Sequence, residues 1–270
     1  MGKVHDSITP ELAEWLLKQR LFFVGTAPRV GSVNVSPKGY AQGTFRILTP
    51  HKVAYLDCTG SGAETFAHLT LADRLTLLFV ELEAKEPGLL RLHGHARAWR
   101  KEECSEDLKS LFDQSFVDHR SFRSIVVLEV ERVSTSCGYS IPFYAYREER
   151  TRLLDFSAKM SEEEINEYRI LKNSFTIDGL PTLAHRVLGA EAPIVRPTFT
   201  GGYWYGKRVS GNAISTSICG FWERLRLKLL QQVAAMQVWP LVLSHCSVLA
   251  LGAIVGAAYV QQTSSQRRSV

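Results

Sequence analysis

The sequence predicts a mainly β fold of the α+β class, because many short strand-like runs follow one another and few helices interrupt them. The chain has 270 residues, 45% apolar and 22% charged, as is usual for a folded globular protein. Turn signals rich in Pro and Gly separate most of the runs. This series favours a barrel or sandwich over a doubly wound parallel sheet. The predicted strands are 21–27, 32–36, 44–48, 53–57, 75–83, 89–99 and 124–136.

Helix signals precede, interrupt and follow the strand series. Thr9-Pro10-Glu11 has the residue types of an N-cap and first turn, which predicts a helix to about residue 19. Two helices, about 62–72 and 102–112, are predicted within the series. Ser161 precedes three glutamates, and acidic residues are favourable in a first turn, so a further helix should begin there.

The C-terminal third has a different composition. Residues 184–219 are predicted to be a linker, because the stretch is rich in Gly, Pro, Ser and Thr. Residues 220–260 hold a basic amphipathic segment and then 23 residues without Asp, Glu, Lys or Arg, beyond the roughly 20 that span a bilayer. This indicates a transmembrane helix followed by a short tail, 261–270. The alternative is a buried or amphipathic C-terminal helix.

Charge and cysteine usage exclude some functions. The net charge of +5 is spread along the chain with no basic run longer than two residues, so nucleic-acid binding is not expected. Five cysteines without a CxxC pair indicate neither a zinc site nor a disulfide framework. The first fifteen residues contain no apolar signal segment. We therefore expect a cytosolic domain anchored to a membrane by its C-terminal helix or, alternatively, a soluble cytoplasmic protein.

A strand, a turn and a helix in residues 53–69 (VAYLDCTGSGAETFAHL) suit a phosphate group. The Thr-Gly-Ser-Gly turn brings backbone N–H groups, hydroxyls and a helix N-terminus to one place. Similar turns also open helices that bind nothing. In residues 33–39 (VNVSPKG), alternation places Asn34, Ser36 and Lys38 on one strand face, which is polar enough to meet water or a ligand.

A third segment, 89–99 (LLRLHGHARAW), contains a His-x-His pair. A metal site is not expected at His93 and His95, since no third ligand stands at a supporting spacing. Gly94 in mid-strand predicts close approach of a ligand or of another backbone.

Together these segments resemble the pyridoxamine 5′-phosphate oxidase-like family, the FMN-binding split barrels. The resemblance covers about residues 8–183, and it is closest to a subgroup distinct from the oxidase itself. The phrases that carry it are Ser36-Pro37-Lys38-Gly39, the stretch from Tyr55 to Leu69, and Ser136-Cys137-Gly138-Tyr139.

The resemblance implies a six-stranded antiparallel split β-barrel with flanking helices, which forms a homodimer and holds FMN at the subunit interface. The strand of Lys38 lies against the flavin in such proteins, and the residue matching Lys38 helps the oxidase to bind substrate phosphate. The loop 59–65 matches the one that grips the flavin phosphate. The cofactor-binding residues that the resemblance implies are Asn34, Val35, Ser36, Lys38, Tyr55, Leu56, Asp57, Ser61, Gly62 and Thr65.

The chain departs from the oxidase at two points. The phosphate loop of the oxidase carries a basic pair, whereas this one reads Ser61-Gly62-Ala63-Glu64-Thr65, so FMN would bind through basic residues from elsewhere, bind weakly or be absent. The C-terminal substrate segment of the oxidase is not recognisable, so pyridoxal phosphate synthesis is not predicted. The expected function is that of an FMN-dependent oxidoreductase of unknown substrate and unassigned catalytic residues. The alternative is a non-catalytic split-barrel binding protein.

Overall fold

The computed structural model describes residues 2–29, 31–86, 88–178, 180 and 182, and its main feature is an antiparallel sheet with flanking helices. The strands are β1 (Lys3–His5), β2 (Phe22–Thr26), β3 (Asn34–Lys38), β4 (Phe45–Thr49), β5 (Lys52–Cys58), β6 (Arg74–Val80), β7 (Leu89–Arg100) and β8 (Phe122–Ser136). The helices are α1 (Pro10–Lys18), α2 (Ala41–Thr44), α3 (Glu64–Leu69), α4 (Glu106–Ser110), α5 (Gln114–Val117), α6 (Arg152–Ala158) and α7 (Glu162–Lys172).

The strand order is β3-β2-β6-β7-β8-β5-β4, with β1 paired to β8, and every pairing is antiparallel. The sheet curls so that strands far apart in this order face each other. Lys38, on the terminal strand β3, reaches Asp57 on β5 near the opposite end. The mainly antiparallel β prediction is confirmed, and the arrangement is consistent with a split barrel. The described sheet has eight strands, two more than the resemblance implies.

The core lies inside the curled sheet and is dominated by aromatic rings. Phe22 contacts Phe45, Tyr55 and Phe79 with ring centroids 5.2–5.7 Å apart. A second apolar cluster lies on the other side of β5, where Leu56 packs with residues that include Phe122. Strand β5 is therefore buried on both faces, because Tyr55 belongs to one cluster and Leu56 to the other.

Helix ends follow the predicted chemistry at two places. The Thr9 hydroxyl accepts a hydrogen bond from the N–H of Leu12, and Pro10 begins α1. Ser161 caps α7 in a reciprocal capping box with Glu164. The region 102–112, predicted as one helix, contains a 3₁₀ turn at Lys101–Glu103 and then α4, because Ser105 caps a new helix.

The predicted linker 184–219, the segment 220–260 with its hydrophobic helix, and the tail 261–270 lie outside the described residues. Among the helices in the described part of the chain, none combines the length and apolar character needed to cross a bilayer.

Candidate functional site

A pocket of about 600 Å³ opens where β3, the end of β5, the loop after β5 and α3 meet, and residues from α7 onward close one side. Its volume falls in the range usual for small-molecule sites, about 300–1,000 Å³. Most residues that the sequence suggested for cofactor binding line this pocket. They are Asn34, Ser36, Lys38, Leu56, Asp57, Ser61, Gly62 and Thr65.

The structure places the side chains of the other two suggested residues elsewhere. Val35 is 63% exposed, because alternation along β3 turns it away from Asn34 and Ser36. Tyr55 is only 1% exposed and packs against Phe22 in the core. The Tyr55 hydroxyl is buried without a hydrogen-bond partner among the described residues. The Tyr55 side chain therefore serves the core and does not line the pocket.

Three charged side chains meet at the base of the pocket. Asp57 accepts hydrogen bonds from Lys38 Nζ at 2.6 Å and from Arg123 Nε at 2.7 Å, one on each carboxylate oxygen. Burial alone would raise the pKa of Asp57, but the charges and hydrogen bonds of Arg123 and Lys38 outweigh it and lower that pKa to about 2. Two cations thus share one carboxylate, which leaves this cluster with a net positive charge.

Arg123 also connects the loop after β5 to α7. One guanidinium nitrogen donates to the carbonyl of Gly62 at 2.9 Å and to Asn173 Oδ1 at 2.8 Å. Asn173 in turn donates to the carbonyl of Gly60 at 3.0 Å. Arg169, one helical turn earlier, donates to the Thr59 hydroxyl at 2.9 Å. These contacts fix the loop from β8 and α7, so the shape of the loop depends on residues that come 61 to 113 positions later in the chain.

The helix that follows this loop is shorter than the sequence predicted. Helix α3 has six residues, and its N-cap, Ala63, offers no side-chain hydrogen bond. A helix this short has a weak macrodipole, because aligned peptide dipoles add along its length. The groups at this place that could attract an anion are therefore basic side chains and hydroxyls rather than a helix end.

Glu64 lines the pocket and contacts the segment after α7, residues 173–178, which we call the strap. Its carboxylate accepts the backbone N–H of Ile177 at 3.1 Å. Burial raises the pKa of Glu64 to about 7, and the charge of Asp178 adds to this, while the Ile177 hydrogen bond opposes it. Asp178 itself accepts the N–H and the hydroxyl of Ser32 at 2.6 and 3.0 Å.

The His-x-His segment lies away from this pocket, in β7. His93 is placed between the hydroxyls of Thr76 and Ser134. His95 lies between two exposed carboxylates. A Cβ at Gly94 would overlap the carbonyl oxygen of Glu129 on β8, so this glycine permits close approach of another backbone rather than of a ligand. No group of three metal-ligating side chains occurs in the part of the chain that the structure describes.

Comparison with known proteins identifies the family. A family model described as pyridoxamine 5′-phosphate oxidase matches residues 8–137. The Aspergillus flavus protein named pyridoxamine 5′-phosphate oxidase family protein ustO is 34% identical over 195 residues, which cover 66% of this chain and 77% of that protein. The chain belongs to the pyridoxamine 5′-phosphate oxidase family.

Solved structures show weaker similarity. HupZ from Group A Streptococcus is 17% identical and covers 48% of this chain and 99% of its own, with a TM-score of 0.36. An FAD-binding protein from Mesorhizobium loti is 9% identical and covers 50% of this chain and 97% of its own, also with a TM-score of 0.36. HutZ, a heme storage protein from Vibrio cholerae, is 16% identical and covers 47% of this chain and 93% of its own, with a TM-score of 0.35.

This pyridoxamine 5′-phosphate oxidase family member has pocket residues that local sequence patterns did not reveal. Arg123 lines the pocket because β8 pairs with β5. Lys172 and Phe175 line it because α7 and the residues after it pack beside the pocket. Arg123 lies between the buried Phe122 and Ser124 and directly before the predicted strand 124–136, so a charged residue at the start of that strand is the one signal that could have marked it. Arg123 and Lys172 supply basic groups that the loop 59–65 lacks.

Proposed function

We propose that this protein binds FMN in the 600 Å³ pocket, with the phosphate of the cofactor held by basic side chains that come from outside the loop after β5. The observation that carries the proposal is the cluster of Lys38, Asp57 and Arg123, because one carboxylate balances only one of its two cations. Hydroxyls of Ser61 and Thr65 line the same pocket and can donate to phosphate oxygens.

The reaction that we propose is oxidoreduction of a substrate not yet identified. A bound flavin would supply the hydride and electron transfer. The residues of this chain would bind and orient it: Lys38 and Arg123 as charged donors, and Asn34 and Ser36 as polar groups on the β3 face. A charge-assisted hydrogen bond contributes roughly 1.5–3 kcal/mol, so two such donors can replace a basic pair in the loop.

A non-catalytic binding protein is the second candidate. It is favoured by the short distances between Asp57 and both cations, 2.6 and 2.7 Å, because cations held this closely have less charge to offer a ligand. In that case FMN binds weakly or is absent, and the pocket takes another ligand or a partner.

The experiment that separates the two candidates uses the purified full-length protein. Its visible absorbance spectrum is recorded as purified and during titration with FMN, and riboflavin, which lacks the phosphate, is titrated in parallel. The FMN proposal expects saturable binding that is at least tenfold tighter than that of riboflavin. Titration without binding of either flavin would refute it. Reduction of bound flavin by an added electron donor would favour the enzyme over the binding protein.

We also propose that the protein is a homodimer. The family resemblance implies it, and several large apolar side chains on the described surface support it. Val33, just before β3, is 73% exposed, and Val35, on β3, is 63% exposed. Three aromatic side chains are 61–85% exposed: Tyr139, Phe143 and Tyr144. Light scattering coupled to size-exclusion chromatography should give twice the mass of one chain, and a monomer at micromolar concentration would contradict the proposal.

A membrane anchor is a separate proposal that rests on the composition of residues 238–260, which contain no Asp, Glu, Lys or Arg. Full-length protein should then remain with membranes during extraction with alkaline carbonate, and a chain ending at Ser217 should not. Full-length protein recovered wholly in the soluble fraction would contradict the anchor.

A further inference from the structure

We propose that Glu64 is a ligand-binding residue that donates a hydrogen bond from its protonated carboxyl to the phosphate of the bound ligand, so that binding takes up one proton. This inference rests on the proposed function, since it requires that a phosphate enters the pocket. It assigns to Glu64 a favourable part in binding, although its charge alone would oppose an anion.

The position of the Glu64 carboxyl group supports this role. Glu64 directly follows the loop that carries Ser61 and Gly62, and it lines the same pocket as their atoms. Its side chain is 15% exposed. Both of its oxygens face the same donor, the N–H of Ile177, at 3.1 and 3.4 Å. A carboxylate that shares one N–H between two oxygens has acceptor capacity left, and a proton on one oxygen can be directed toward a ligand.

The surroundings of Glu64 differ from those of Asp57 in the same pocket. Asp57 contacts two cations, whereas among the described residues neither Lys nor Arg comes within 4.0 Å of the Glu64 carboxylate. The nearest basic group is His68 Nε2 at 4.0 Å, in a side chain that is only 1% exposed, and that nitrogen has no hydrogen-bond partner in the described part of the chain. Burial lowers the pKa of His68, so the ring is neutral at pH 7 and above and does not stabilise the Glu64 charge.

The remaining charged groups around Glu64 come from several elements. Asp178 on the strap adds negative charge and raises the pKa of Glu64, which burial alone already raises. The other titratable groups that line the pocket are Lys38, Tyr40, Asp57, Cys58, Arg123 and Lys172. Burial raises the pKa of Tyr40 above its ordinary 10.0 and that of Cys58 above its ordinary 9.0, so neither loses a proton below pH 9. Of the groups around the pocket whose pKa is shifted, Glu64 alone titrates between pH 7 and 9.

The sign of the effect follows from linkage. The pKa of Glu64 is about 7 in the free protein, and a phosphate carrying nearly two negative charges raises it further. Between those two values the complex holds one proton more than the free protein, so affinity falls as the pH rises. The dissociation constant for FMN should therefore increase by up to about tenfold for each pH unit between 7 and 9. Below pH 6 the second ionisation of the phosphate itself, near pKa 6, contributes as well.

The test is calorimetric titration of the full-length protein with FMN at pH 7, 8 and 9, at each pH in two buffers with different ionisation enthalpies. The difference in heat between buffers gives the number of protons taken up. Wild-type protein should take up close to one proton per FMN at pH 8 and none with riboflavin. Glu64→Gln should bind FMN with a dissociation constant that stays constant from pH 7 to 9. The exposed control Glu163→Gln should keep the wild-type dependence.

Two results would overturn the proposal. The first is FMN binding by the wild type without proton uptake at pH 8, which decides the matter even if Glu64→Gln folds poorly. The second is an equal pH dependence in wild type and in a folded Glu64→Gln. Failure of the wild type to bind FMN at every pH would instead overturn the proposed function, and this inference with it.

Discussion

Replacing Asp57 by asparagine should destabilise the protein at neutral pH and have a progressively smaller effect in acid. The Asp57 side chain is only 7% exposed, and its two oxygens contact Lys38 and Arg123. Asparagine keeps the size of the side chain but removes its charge. Two partly buried cations, with side chains 21% and 12% exposed, would then remain close together without a counterion.

The magnitude follows from the pKa of Asp57, which falls from an ordinary 3.8 to about 2 in the folded protein. At about 1.4 kcal/mol per pH unit, this corresponds to roughly 2–3 kcal/mol of folding free energy at pH 7. Because the folded pKa lies below the unfolded one, this contribution is fully present above about pH 4 and is lost as the pH falls toward 2. Loss of one partner from a buried pair commonly costs about 3–5 kcal/mol, which sets the upper limit.

The assay is urea unfolding followed by tryptophan fluorescence at pH 7, 5 and 3. Asp57→Asn should unfold with a free energy lower than wild type by about 2–5 kcal/mol at pH 7, and with a clearly smaller difference at pH 3. The matched control is Glu14→Gln, which breaks an exposed pair with Lys18 and should leave stability unchanged. A difference below about 1 kcal/mol at pH 7, or the same difference at pH 7 and pH 3, would refute the reasoning.

Three further substitutions test separate parts of the structure. Tyr55→Phe removes a buried hydroxyl that has no hydrogen-bond partner in the described residues. Thermal unfolding should therefore show no loss of stability and a gain of up to about 1 kcal/mol. A loss of stability above about 1 kcal/mol would show that the hydroxyl has a partner outside the described residues. Gly94→Ala forces a methyl group against a β8 carbonyl and should lower the free energy of unfolding by at least about 1–3 kcal/mol in the same assay. The control Gly60→Ala, with nothing within 4 Å of the added atom, should lower it much less. Equal losses in the two variants would contradict this expectation. Arg123→Gln should weaken FMN binding by about 10–100-fold in fluorescence titrations. The control Arg147→Gln changes an exposed arginine and should leave FMN binding unchanged. Similar affinities of the two variants for FMN would show that Arg123 does not bind the cofactor.

Local chemistry made the strands and most helices predictable. Each of the seven predicted strands is present, with ends displaced by at most three residues, because Pro, Gly and Asn-type turn signals act over a few positions. The three-residue β1 was missed because a strand this short has no recognisable alternation, and it exists through its pairing with β8. Helices α2 and α5 were also missed, because four residues are too few to show a helical periodicity.

The candidate site was predictable only in part, for a physical reason. Alternation within β3 was sufficient to place Asn34, Ser36 and Lys38 on one face, and all three line the pocket. Arg123 reaches Asp57 across 66 positions of sequence, and Asn173 reaches the Gly60 carbonyl across 113. Such contacts depend on which strands and helices become neighbours, and no local pattern encodes that.

The contact between Glu64 and the strap, which is also long-range in sequence, changes the interpretation of Glu64. From sequence, a phosphate loop that contains Glu64 and lacks the basic pair of the oxidase predicted that FMN binds through basic residues from elsewhere, binds weakly or is absent. In the structure the Glu64 carboxyl group is largely buried and bonded to the N–H of Ile177, and its pKa lies at about 7. A carboxyl with a pKa near 7 is compatible with a phosphate, because its protonated form is a donor.

The most direct test of the central claim is a crystal structure of the full-length protein, or of its described domain if that folds alone, grown with FMN. The flavin should lie in the pocket between β3 and α3, with its phosphate within hydrogen-bond distance of Arg123 or Lys38 and of a hydroxyl from Ser61 or Thr65. Flavin density at another place on the protein, or a phosphate that points into solvent away from both cations, would contradict the account.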